Sequence, residues 1–572
     1  MPKILFIPYP AQGHVTPMLH LASAFLSRGF APVVMTPESI HRRISTTNED
    51  LGITFVALYD GQDRPDAPPS DFFSIENSME NIMPSQLERL LLEEDLGVAC
   101  VVVDLLASWA VRVADRCGVP VAGFWPVMFA AYRLIQAIPE LVRTGLVSRK
   151  AALEDSLDPL RILPLRSPAL LAVTVRGLPK FPLCSWLFSG RRSDEIRFQS
   201  LMAILTVAPI CGELASACLE SSVNLGDYSL PVLSPPSVWL LVLRCQPPPA
   251  SLTTCKLPNI NSPAKGCPRQ PETPLVLPEQ PLLSEEDLPW LIGTPKAQKR
   301  RFKFWQRTLE RTKSLRWILA NSFKDEYDGF NKQKTPYKLF KDFNKENNCQ
   351  NPQIFHVGPL HYYQAAPSNI AMTKTSLWEE DISCIGWLQE QNPNSVIYIS
   401  FGSWVSPIGE SNIKMLALAL EASGRPFLWA LNRVWQEGLP PGFVHRVTIA
   451  KNQGRIVSWA PQLEVLRNDS VGCFVTHCGW NSTMEAVVSC RRLLCYPVAG
   501  DQFVNCKYIV DVWKIGMRIS GFGEKEVEDG LRKVMEDQDM GERLKKLRDK
   551  AMGNEARLCS ERNFILFKEE IK

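Results

Sequence analysis

Between Lys3 and Thr36 the chain passes through an apolar run, a glycine-containing loop, a helical stretch and a second apolar run, and near residue 395 the same succession starts again. This repetition constrains the fold more than any other feature. The first round reads as a strand at Lys3–Tyr9, a loop at Pro10–Pro17, a helix at Met18–Arg28 and a strand at Phe30–Thr36. Gly29 stands just past the last helical residue, the usual place for a C-terminal stop. Cys100–Val103 adds a buried strand with Asp104 at its C-terminal end. The second round has strands at Ser395–Phe401, Phe427–Leu431, Arg455–Ser458, Val471–Thr476 and Leu493–Tyr496. Its helices are Asn412–Ser423, stopped by Gly424, then Asn481–Val488 and Gln502–Val512. Such alternation builds parallel sheets covered by helices, with ligands beyond the C-terminal strand ends. Two blocks predict an α/β protein of two Rossmann-like domains facing a central cleft, a favoured place for ligands.

The length of 572 residues agrees with more than one core. A net charge of +3 gives no reason to expect a nucleic-acid partner. The opening MPKILFIPYPAQGH is short and interrupted by Pro8 and Pro10, so it reads as a first strand and not a secretory signal. The most apolar stretches, around Leu201–Cys211 and Val232–Leu243, are too short or too broken by proline to span a membrane. The expectation is a cytoplasmic protein with no integral membrane segment. Sixteen cysteines lie without a C-x-x-C pair or a Cys/His cluster at zinc spacing, which predicts free thiols and no metal.

Residues 151–264 break the pattern. They hold 14 of the 45 prolines, nearly twice the density elsewhere, and their only lysines are Lys180 and Lys256. The segment is too apolar for ordinary disorder and too interrupted by proline for a core, so it reads as an atypical, poorly ordered insertion.

The most specific signal is Trp459–Gln502, WAPQLEVLRNDSVGCFVTHCGWNSTMEAVVSCRRLLCYPVAGDQ. It resembles the signature box of plant secondary-product UDP-glycosyltransferases in its 44-residue length, its H-C-G-W-N-S-T-x-E segment (His477–Glu485) and its P-x-x-x-D-Q ending (Pro497–Gln502). SEEDLPW (Ser284–Trp290), Asn321-Ser322-Phe323, Trp387-Leu388 and SVIYISFGS (Ser395–Ser403) follow in family order. Without residues 151–264 the chain has 458 residues, about the family length, which fits an added segment such as a retained intron.

The resemblance implies the GT-B architecture, with 1–150 and 265–373 as the acceptor-binding domain and 374–553 as the UDP-sugar-binding domain. A linker runs from His356 to about Lys374, and 554–572 form a helix returning to the first domain. It assigns UDP-sugar binding to Ser403, Trp459, Ala460, Gln462, His477, Gly479, Trp480, Asn481, Ser482, Glu485, Asp501 and Gln502. Trp459 offers a face for uracil. Gln462 and Glu485 hold ribose hydroxyls, and Asp501 and Gln502 hold those of the sugar. The His477–Ser482 segment opens a helix, whose free N–H groups and dipole suit a diphosphate. His14, in PAQGHVTP, is the implied general base, an imidazole able to take a proton near neutral pH. Asp104 is its implied partner, and the same residue also reads as an ordinary helix cap.

The implied reaction is transfer of a hexose, glucose by the match of Trp480 and Gln502, from a UDP-sugar co-substrate to a small hydroxylated acceptor. It proceeds with inversion, by a monomer, without cofactor or metal. Asp537-Gln538-Asp539 spells the D-x-D of metal-dependent transferases but lies in a charged helical stretch and reads as surface. Arg491-Arg492-Leu493 replaces the commoner Gly-Val-Pro, and Ala499 and Gly500 replace larger residues, which implies an altered wall of the sugar pocket. Two other functions compete: a UDP-sugar-binding relative disabled by the insertion, and a dinucleotide oxidoreductase, which the missing G-x-G-x-x-G after the first strand argues against.

Overall fold

The structure, a computed structural model, describes residues 1–48, 52–61, 72–92, 97–143, 280–284, 287–324, 326, 352–360, 378–402, 408–450 and 452–571. The 151–264 insertion, most of the expected linker and Ser403 lie outside these residues. The strands β1 (Lys3–Ile7), β2 (Ala31–Pro37), β3 (Thr54–Leu58), β4 (Val98–Asp104), β5 (Val121–Trp125), β6 (Trp317–Ala320) and β7 (Gln353–His356) form one sheet in the order β3-β2-β1-β4-β5-β6-β7. A second sheet has β8 (Val396–Ser400), β9 (Phe427–Ala430), β10 (Gly454–Val457), β11 (Val471–Thr476), β12 (Arg492–Cys495) and β13 (Gly516–Arg518) in the order β10-β9-β8-β11-β12-β13. Every pairing in both is parallel. Inner strands such as β8 and β11 are buried along their whole length, because helices cover both faces of a parallel sheet. Strand order reverses between β1 and β4 and between β8 and β11, the kind of position where open α/β sheets bind ligands.

Helix α1 spans Gln12–Leu26, so the expected Pro10–Pro17 loop is mostly helical and His14 lies in the first helical turn. Gly13 and Pro17 are loop signals in sequence, yet Pro17 costs this helix a single bond, from its absent N–H to the Gly13 carbonyl. Asn481, from the other half of the molecule, donates to that carbonyl instead, at 3.1 Å.

In the second half, helix α2 (Glu410–Ser423) ends on Gly424 at φ 64°, as the glycine predicts. Helices α3 (Gln462–Arg467), α4 (Trp480–Val488) and α5 (Gln502–Lys507) follow β10, β11 and β12. The helix expected over Gln502–Val512 is α-helical only to Lys507; Tyr508–Val512 is a π-helical turn. The wider turn brings Trp513 against Phe323, with its indole N–H on the Glu326 carbonyl at 2.8 Å.

The last helix, α6 (Asn554–Glu570), returns to the first sheet. Phe564 and Phe567 are buried in one cluster with Phe25, Phe30, Trp317 and Phe355. Arg28 pairs with Glu561, and Asn563 donates to the His356 carbonyl at 2.8 Å.

Candidate active site

The chain leaves β1, turns through an extended Ala11 and enters α1, so His14 stands at the C-terminal edge of the first sheet beside the end of β4. Its Nδ1 is 2.7 Å from Asp104 Oδ2. Asp104 Oδ1 accepts the Leu106 N–H at 2.9 Å, capping the short turn Leu105–Ala107. The two roles left open by the sequence are held by two oxygens of one carboxylate. Asp104 is fully buried, while the His14 side chain is 14% exposed. Asp104 therefore fixes the tautomer with hydrogen on Nδ1 and leaves Nε2 as the basic nitrogen. Burial alone would depress the imidazole pKa. The charge and hydrogen bond of Asp104, with Asp501 contributing from the second half, outweigh it and raise the pKa above 6.5.

On the second sheet, β11 runs into His477-Cys478-Gly479 and then α4. Cys478 has φ 66°, a left-handed conformation uncommon for a side-chain-bearing residue. The turn is held by Asn505, which donates to the Cys478 carbonyl at 2.9 Å, and by Thr476 Oγ1, which accepts the Cys478 N–H at 3.2 Å. His477 is wedged between two glycines. A Cβ on Gly402 would lie 2.7 Å from its Nε2, and one on Gly479 would lie 2.5 Å away. Burial pushes the His477 pKa down to about 4, against a hydrogen bond to the Ser400 backbone. Its ring is neutral at physiological pH and acts as a hydrogen-bond donor, not a cation. Gly479 caps α4 without a side-chain bond, so the first N–H groups of the helix have no partner within it. They and the helix dipole suit an anion.

Deeper along α4, Gln462 Nε2 donates to Ser482 Oγ at 2.8 Å and to Glu485, while Tyr398 donates to Gln462 Oε1 at 3.2 Å. Burial raises the Glu485 pKa to about 7, although the Gln462 bond opposes it. Trp459 is half-buried, its ring 6.1 Å from that of Trp378 and tilted by 39°, and Ala460 beside it is buried. At the end of the box, Gln502 Oε1 accepts the N–H groups of Val498 and Ala499 at 2.9 and 2.8 Å, which leaves its NH2 group for a ligand. Asp501 accepts from Asn505 at 2.7 Å; its burial raises its pKa against that bond and the charge of His14.

Two assigned donors are engaged elsewhere. The Asn481 amide nitrogen donates to the Gly13 carbonyl, and the Trp480 indole N–H donates to the Asn321 carbonyl at 2.7 Å. Asn321 also donates to the Pro126 carbonyl and accepts from Leu360 N, both at 3.0 Å. Sequence reasoning missed Asn321 as the residue joining the halves, although its position directly after β6 was a signal. Asn505 was missed as well. The expectation that Arg491 and Arg492 reshape the sugar pocket fails on geometry. Arg491 bonds the Leu466 and Arg467 carbonyls at the end of α3, and Arg492 bonds the Met535 carbonyl. Asp537 caps the helix Gln538–Met552 by accepting from Met540 N at 2.8 Å.

Two parallel-sheet α/β domains of this kind form the GT-B architecture of glycosyltransferases. Residues 378–550 match the family model described as UDP-glucoronosyl and UDP-glucosyl transferase. The chain is 69% identical to UDP-glycosyltransferase 82A1 of Arabidopsis thaliana over 570 residues, covering 100% of this chain and 98% of that protein. UDP-glycosyltransferase 85A5 of the same plant is 23% identical, with 96% and 91% covered. Among solved structures, Os79 from O. sativa in complex with UDP superposes with a TM-score of 0.63 at 20% identity, with both chains fully covered. Phytolacca americana UGT2, complexed with UDP-2fluoro-glucose and pterostilbene, gives 0.63 at 19%, again over both whole chains. The chain belongs to the UDP-glycosyltransferase family: it is an enzyme that transfers a glycosyl group from a UDP-sugar. No helix among the described residues is long and apolar enough to cross a membrane.

Proposed function

We propose that the enzyme transfers glucose from UDP-glucose to a hydroxyl or carboxyl group of a small acceptor, with inversion at the anomeric carbon and without a metal. The observation that carries this reading is the 2.7 Å His14–Asp104 pair, electrostatically coupled to Asp501 from the donor half. His14 Nε2 takes the acceptor proton, and Asp104 stabilises the imidazolium. The freed oxygen attacks the anomeric carbon through an oxocarbenium-like transition state, from the face opposite UDP. The first N–H groups of α4 receive the charge that develops on the diphosphate, with His477 fixing the turn that presents them. Gln462 and Glu485 hold the ribose, Trp459 and Ala460 the uracil, and Asp501 with the free NH2 of Gln502 the sugar. Ser403 belongs to the same proposed set. Trp480 supports the site indirectly, by fixing the start of α4 against Asn321. The reading includes a cytoplasmic monomer.

The test is incubation of the full chain with UDP-glucose and a panel of phenolic and terpenoid acceptors, followed by nuclear magnetic resonance of the product. A β-glucoside formed in the presence of EDTA is expected. An α-glucoside, a preference for another UDP-sugar, or loss of turnover with EDTA contradicts the reading. UDP binding without any acceptor-dependent turnover points to a relative disabled by residues 151–264.

A further inference from the structure

Behind the donor turn the fold gathers three sulfur atoms that are far apart in sequence. Cys478 occupies the left-handed turn after β11, Cys495 ends β12, and Cys506 lies in α5. Their Sγ atoms all lie within 4.8 Å of one another, and each residue is at most 1% exposed. Three thiolates around one zinc-sized ion at about 2.3 Å stand about 4 Å apart, so a small contraction closes the triangle. Sulfur is the only donor type in the group, which selects soft cations over magnesium or calcium.

We propose that Cys478, Cys495 and Cys506 form a three-thiolate site for a thiophilic d10 cation such as zinc(II), cadmium(II) or copper(I). The site is separate from the chemistry of transfer. Cation entry requires local opening of α5, the short helix that carries Cys506, so loading is slow. Loading also acts on the donor site. Cys478 lies between His477 and Gly479, and drawing its sulfur inward moves the turn that faces the diphosphate. A loaded enzyme therefore binds UDP more weakly. That consequence rests on the donor-site reading; the cation site does not.

Cadmium(II) is the probe, titrated into the reduced full chain while the ultraviolet thiolate-to-metal absorption is followed. One equivalent is expected to saturate a strong band, and X-ray absorption at the cadmium edge of the same wild-type sample is expected to count three sulfurs. Removing an outer-sphere partner of a metal costs up to roughly 100-fold in affinity, so Cys495→Ala or Cys506→Ala, each removing a ligand, weakens binding at least that much. Cys490→Ala and Cys559→Ala, at half-buried cysteines outside the cluster, leave the band unchanged. Circular dichroism establishes that each variant is folded, and the wild-type X-ray result stands whatever the variants do. A first shell of oxygen and nitrogen, no saturation at one equivalent, or a band that survives in a folded Cys495→Ala/Cys506→Ala protein overturns the proposal. Unchanged UDP affinity in a loaded enzyme overturns only the coupling to the donor turn.

Discussion

Asp104 is the residue through which position and chemistry meet. One carboxylate oxygen orders the turn after β4 and the other orders His14, so Asp104→Asn keeps the cap and removes the charge. Because the folded pKa of His14 lies above 6.5, the wild-type acid limb of kcat/KM falls as pH drops through a value above 6.5. Without Asp104's charge the limb moves to lower pH, and kcat drops by about 10²- to 10⁴-fold. A pH-rate profile of Asp104→Asn checks both; an unmoved limb with a normal rate makes Asp104 a structural cap alone. Glu485 gives a prediction of opposite sign. Its pKa is raised to about 7 in the fold, so the folded state holds a proton that the unfolded chain releases near 4.5. Stability from this group is therefore lost as pH rises from 4.5 through 7. Glu485→Gln is expected to melt higher than wild type at pH 8 and no higher at pH 4, while binding UDP more weakly. Differential scanning calorimetry at the two values measures the first effect. His14 and Asp104 were legible as strand-end residues, and their pairing follows from β1 and β4 being neighbours at the reversal of the sheet. Asn321 was visible as a landmark but its bonds were not, and Asn505 was not legible at all. Their partners are backbone carbonyls brought near by tertiary packing, and no local pattern announces those.

The elements repeat the lesson at a larger spacing. Alternation of apolar runs gave β1, β2, β4 and β8 to β12 to within a residue or two, and Gly424 gave the end of α2; β3, β5, β6, β7 and β13, all at or near sheet edges and only three to five residues long, were not read from it. The start of α1 was misread because proline and glycine signal a loop locally, whereas here the bond lost at Pro17 is replaced from another domain. Pro17→Ala restores the N–H that competes for the Gly13 carbonyl. Asn481→Ala should then cost less stability in the Pro17→Ala background than in wild type. A hydrogen bond is worth about 1 kcal/mol net, which sets the size of coupling that a double-mutant cycle in urea should find. Additivity would mean that Asn481 and Pro17 are independent. Gly479 makes the second element-scale prediction. The methyl of Gly479→Ala meets the His477 ring at 2.5 Å. Overpacking of this kind costs about 1–3 kcal/mol, so UDP affinity by calorimetry should fall roughly ten- to hundredfold.

At the scale of the whole molecule, two wholly parallel sheets share one buried hydrophobic cluster and are joined by particular side chains. Trp480 meets Asn321, Asn481 meets Gly13, Trp513 meets Glu326, and α6 crosses back to bury Phe564 and Phe567. The architecture was readable because each sheet leaves its own strand–helix rhythm in the sequence. The side-chain junctions were not, since each joins residues more than a hundred positions apart. In the proposed reaction the ends of the two sheets form one site, with His14 as the base toward a sugar held by the second sheet. The most direct measurement is acceptor-dependent UDP release from UDP-glucose by the full chain and by His14→Ala, with UDP binding measured on both. Release by the full chain is expected, with a loss of about 10²- to 10⁴-fold in the variant and equal UDP affinity. Release that survives in His14→Ala would contradict the proposed reaction.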